Sequence, residues 1–91
     1  MVYPENVTVL MRTELQGKPA FKTIDTTAKF KSLGDQVQID LNLMNRDLLN
    51  RHFVIDETSL VYHGEETYQC LSEAIKIGRP HHLVIFAKLL G

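Results

Sequence analysis

Residues 28–43, AKFKSLGDQVQIDLNL, constrain the fold more than any other stretch of this chain. A Gly34-Asp35 pair separates two segments of alternating character. Glycine supplies, at no steric cost, the positive φ needed at the first central position of a two-residue hairpin loop. That loop sets Leu33 opposite Gln36, and counting outward sets Phe30 opposite Ile39, Ala28 opposite Leu41 and Lys29 opposite Asp40. Apolar side chains then meet on one face and opposite charges on the other. A slip of one residue would turn the whole apolar set to the wrong side.

The preceding segment carries the same period. VTVLMRTEL (7–15) places Val7, Val9, Met11, Thr13 and Leu15 on one side. The turn in QGKP (16–19) is expected to pair Leu15 with Ala20, Met11 with Ile24 and Val9 with Thr26. Odd residues of the outer two segments and even residues of the middle one then share one apolar face. The middle segment is long, which predicts a bulge or bend near Asp25-Thr26.

The second half reads with a different period. Asn45 suits the cap of a short helix with Leu48, Leu49, His52 and Phe53 on its inner stripe. A second helix is expected from Glu65 to Ile77, because Tyr68, Cys70, Leu71, Ala74, Ile75 and Ile77 fall within half of a helical wheel. Gly78 and Pro80 suit its end. FVIDETSLVY (53–62) has the β-branched and aromatic character of a short strand or hairpin. LVIFAKLL (83–90) fits a strand that is apolar on both faces, although Pro80 before it and Gly91 after it would also suit a helix. The expected architecture is α+β: an antiparallel three-stranded meander packed on one face by two helices, with a C-terminal strand joining the sheet, in a single domain over residues 1–91.

The net charge of −1 gives no general attraction to nucleic acid or to an anionic membrane. Charge is nevertheless uneven. Lys18, Lys22, Lys29 and Lys31 cluster early, whereas Asp56, Glu57, Glu65, Glu66 and Glu73 fall in a stretch without Lys or Arg. The longest apolar run, Leu83 to Ala87, is too short to span a bilayer, and MVYPENVTVL lacks the pattern of a signal peptide. With one cysteine, no intrachain disulfide is possible. A cytoplasmic protein without membrane contact is the expectation.

Catalytic and metal chemistry find little support. His81, His82, His63 and Cys70 lack zinc-ligand spacing, and adjacent histidines on a strand diverge. Cys70, near the start of the expected second helix and downstream of His63, is the one candidate nucleophile, but it falls on the inner side of the wheel. Asp56-Glu57 and Glu65-Glu66 are sequence neighbours whose side chains diverge, and no glycine-rich phosphate loop is present. The expectation is no enzyme, no cofactor and no metal.

Binding remains. Leu10, Arg12, Phe21, Lys29 and Lys31 are expected on the outer sheet face, and Phe86 and Lys88 on the terminal segment. Leu10, Phe21 and the terminal segment are more apolar than a solvated surface needs. That pattern favours a small interaction or regulatory module whose partner is a protein or a second copy of itself, as a homodimer or larger homo-oligomer. The alternative is nucleic acid held by the basic face, with Phe21 as a stacking ring. A Cys/His enzyme is a distant second alternative.

Overall fold

The computed structural model describes residues 3–42, 53–78 and 81–90. The Gly34-Asp35 loop forms with Gly34 at φ 82°. It joins β2 (Lys18–Leu33) to β3 (Gln36–Asn42), and the pairs Leu33–Gln36, Phe30–Ile39, Lys29–Asp40 and Ala28–Leu41 all form. β1 (Glu5–Leu15) pairs antiparallel with β2, but two residues out of the expected register: Leu15 meets Lys18, Met11 meets Lys22 and Val9 meets Ile24. The turn is tighter than QGKP implied. Gln16 (φ 53°) and Gly17 (φ 78°) alone make it, both in the left-handed region that a two-residue hairpin of this twist requires. A shift of two preserves the apolar face, so Val7, Val9, Met11, Ile24 and Ala28 are still buried together. The β1–β2 ladder is continuous through Asp25 and Thr26, so the expected bulge is absent there.

The remainder corrects the α+β expectation. The chain is all-β, with no helix among the described residues. β4 (Leu60–His63) and β5 (Glu66–Cys70) form a third hairpin around Gly64 (φ 59°), β6 (Ile75–Gly78) is a short strand, and β7 (His81–Leu89) is long. The expected helix from Glu65 to Ile77 is therefore a hairpin arm, a break and another strand. Its helical periodicity arose from joining two short strands across Leu71–Ala74. Within Glu66–Cys70 the true period is two, with Tyr68 and Cys70 buried. The expected helix around Asn45 to His52 lies outside the described residues.

Six strands close into an antiparallel ring in the order β1-β2-β3-β7-β5-β4, returning to β1 through Val9–Val61. β7 closes it, pairing with β3 along one edge (Val37–Ala87, Ile39–Ile85, Leu41–Leu83). Its other edge meets β6 first (Ile75–Val84) and then β5 (Cys70–Ala87, Tyr68–Leu89). The apolar face expected to lie beneath helices instead meets the inner faces of β4, β5 and β7. Met11, Ile39, Leu41, Val61 and Ile85 fill the interior with at most 1% exposure. Ala28 and Ala87 sit directly across from Leu41 and Val37, so small residues make room for large ones in a narrow barrel. Closure also removes most of the unpaired strand edge that an open sheet of this size would expose.

Candidate interaction surface

Alternation along β1 and β7, which lie opposite each other in the ring, decides what each flank shows to solvent. On β1, Val9 and Met11 point inward and Thr8, Leu10 and Arg12 outward. The outward groups are met within the chain. The Thr8 hydroxyl donates to Asp25 Oδ1 at 2.6 Å. Leu10 is half-buried and stands across from Leu60 of β4. The Arg12 guanidinium donates to Asp56 Oδ2 at 2.7 Å, and the Arg12 backbone exchanges two hydrogen bonds with Val54. A pocket of about 360 Å³ opens here, lined by Asn6, Thr8, Asp25, Thr26, Tyr62 and Gly64.

Asp56 organises this flank, a role the sequence did not reveal. It is 8% exposed. Its Oδ1 accepts from the Thr58 amide at 2.9 Å and from the Thr58 hydroxyl, while its own amide donates to Ser59 Oγ at 3.1 Å. Burial alone would raise its carboxyl, but hydrogen bonds from Thr58 and Arg12, with the Arg12 charge, outweigh that and hold it below the ordinary 3.8. An Asp three residues before a Ser is the signal of such a turn, and D-x-x-S at 56–59 carries it.

A polar cluster closes one end of the barrel interior. His63 Nε2 lies 3.0 Å from Glu5 Oε2, and its Nδ1 lies 3.9 Å from Glu66 Oε1. Phe30 stacks on the imidazole at 4.8 Å and meets Tyr68 edge-on at 5.3 Å. Burial, and then the neighbouring Glu66, push the Tyr68 phenol up. Cys70 stands apart from this cluster, fully buried beside Ala87. Burial, and then the Asp56 charge, push its thiol up to about 12, so the thiolate a nucleophile needs is scarce at neutral pH. Among the described residues, no group of three His, Cys, Asp or Glu side chains is arranged to hold a metal, and no helix is long and apolar enough to cross a membrane.

The β7 flank differs. Leu83, Ile85 and Ala87 face the interior, so Val84, Phe86 and Lys88 face out. Cross-strand pairing sets Ile75, 50% exposed, beside Val84. The Leu71 amide donates to the Phe86 carbonyl at 2.9 Å, which brings the 41% exposed Leu71 side chain beside Phe86. The Leu90 amide donates to the Thr67 carbonyl at 2.8 Å, placing the 59% exposed Leu90 at the end of the row. Ile75, Val84, Leu71 and Phe86 thus form one apolar patch, and Lys88 with Gln69 separates it from Leu90. The patch is bordered by Asp40 and Gln38 of β3, which pair with Val84 and Phe86, and by Lys88 and Gln69.

The seven residues expected at a partner surface therefore separate. Leu10, Arg12 and Phe21 lie on the β1 flank, where Phe21 is across from Arg12 and 55% exposed. Lys29 and Lys31 are exposed on the β2–β3 arm, across from Asp40 and Gln38. Phe86 and Lys88 belong to the apolar flank on β7. Leu71, Ile75 and Val84 were missed as surface residues, the first two because a helical wheel had turned them inward. Fold and surface together define a small closed antiparallel β-barrel with an apolar outer flank. The sequence matches no protein-family profile and no curated protein.

Proposed function

We propose that this chain is a non-catalytic interaction module that docks a protein on the outer face of β7. The observation that carries the reading is the patch of Ile75, Val84, Leu71 and Phe86 within a polar border. An apolar centre ringed by polar groups is the usual anatomy of a docking face, whereas solitary exposed apolar residues mean little. The buried, protonated thiol of Cys70 supports a non-catalytic role. A photo-crosslinking amino acid at position 86, with position 21 as the control, tests the reading in cells. A protein adduct at 86 and none at 21 supports it; no adduct at 86 overturns it.

Nucleic acid is the second reading, favoured by exposed Lys29 and Lys31 on one arm. It is weakened because Arg12 is engaged by Asp56 and Lys29 stands across from Asp40. RNA or DNA adducts from a crosslinker at position 29 or 31, with binding that falls steeply as salt rises, would favour it over docking on β7.

A further inference from the structure

We infer that the occupant of the β7 flank is a second copy of this chain, with the two β7 strands antiparallel across a twofold axis at Phe86. The inference rests on the reading of that flank as a docking face and adds its partner and geometry. The argument is one of charge and register. Along β7 the outward row runs Val84, Phe86, Lys88, with Phe86 at its middle. On the Val84 side the neighbouring strand contributes Asp40, directly paired with Val84. On the other side the row carries Lys88, paired with Gln69. The patch therefore has a carboxylate, Asp40, beside Val84 and an ammonium at Lys88, with Phe86 between them.

A twofold axis lying in the interface and perpendicular to the strands reverses one β7 over the other. Phe86 meets its own copy, and Lys88 of each copy stands over Val84 of its partner. Asp40 of the partner is then one strand spacing away, about 4.8 Å to the side, within reach of a lysine stem. The same contact occurs twice, as symmetry demands of an isologous interface. Ile75 and Leu71 flank the centre on the β6 and β5 side, and Gln38 flanks it on the β3 side. A twofold axis along the strands would instead stack Lys88 on Lys88 and set Asp40 over the partner's Ile75.

The test is charge exchange followed by sedimentation. The wild-type chain is expected to dimerise. Lys88→Asp alone and Asp40→Lys alone are each expected to weaken the dimer on the order of tenfold or more. An equimolar mixture of the two variants restores both ion pairs and should give a heterodimer near wild-type affinity. Val84→Cys mixed with Lys88→Cys reads the same geometry should Asp40→Lys fold poorly: facing sheets lie about 10 Å apart, beyond a direct disulfide, so a bismaleimide of that span is expected to join the two variants. A wild type that stays monomeric at all concentrations overturns the inference, as does a mixture of folded variants that fails to recover, or an absent cross-linked pair. An adduct at position 86 whose mass belongs to a different protein leaves the docking reading standing and removes this one.

Discussion

The flanks of β1 and β7 occupy opposite sides of one ring and treat their outward side chains in opposite ways. On β1 each outward group described above has a partner from the same chain: Thr8 has Asp25, Leu10 has Leu60, and Arg12 has Asp56. On β7 the outward Val84 and Phe86 stand beside other apolar side chains at the surface, with Lys88 beyond them. Both strands send buried apolar side chains into the interior, so the difference between the flanks arises from the outward half of each alternating pattern. One flank is completed by intramolecular hydrogen bonds, and the other leaves apolar area open to association.

Adjacent residues of β7 sharpen that contrast most strongly. Ile85 is fully buried and Phe86 points outward. Ile85→Ala should cost about 3 kcal/mol in denaturant unfolding, whereas Phe86→Ala should cost less than about 1 kcal/mol and weaken association about tenfold or more. Equal losses of stability would make the outer strip part of the core and end the comparison. Next is Asp56→Ala, expected to cost about 2 kcal/mol, between a lost hydrogen bond and a broken buried ion pair. Because folding lowers the Asp56 carboxyl, its contribution is present above about pH 4 and fades as the pH falls through the folded value. Asp56→Asn should flatten the acid limb of stability against pH.

Cys70, the last residue of β5, and Leu71 just after it repeat the inner–outer contrast. Folding raises the thiol from 9.0 to about 12, so the unfolded chain loses this proton first as the solution becomes alkaline. Stability should be intact below pH 9 and fall by about 1 kcal/mol by pH 10. Cys70→Ala should lose less over the same interval, and native Cys70 should react with thiol reagents only slowly at neutral pH. The smallest effect belongs to the β1 flank. Phe21→Ser should change stability by less than about 0.5 kcal/mol and leave association unchanged. A large loss of association would transfer the docking face to β1.

The first three strands were legible because their turn chemistry and alternation point to one answer. Gly34 fixes both loop length and register, so Phe30–Ile39 and Lys29–Asp40 could be counted directly. Gln16-Gly17 was less explicit. A loop with Gln at a positive φ gives little warning, and QGKP admitted a longer turn; only the parity survived. From Leu60 onward the strands are short, and a five-residue alternation such as ETYQC carries too few apolar positions to exclude a helix. The missed signal was Gly64, set between LVYH and ETYQC with a two-residue loop. What makes ETYQC a strand is pairing with β4 and β7, which are distant contributions that no local window contains. The docking strip was invisible for the same reason. Phe86 was accessible to sequence reasoning, but its neighbours Leu71 and Ile75 are assembled around it by those ladders.

Ring closure joins Val37 to Ala87 and Asn42 to His82, so β3 must wait for β7 before its second ladder can form. The β2–β3 hairpin can zip in microseconds, but the ring depends on contacts between distant parts of the sequence. Such topologies fold in milliseconds to seconds, and until β7 arrives the edge of β3 stays available to any other chain. Crowded refolding should therefore lose more protein to aggregation than dilute refolding, and a seeded excess of a peptide spanning residues 81–90 should slow the approach to the native state by occupying that edge.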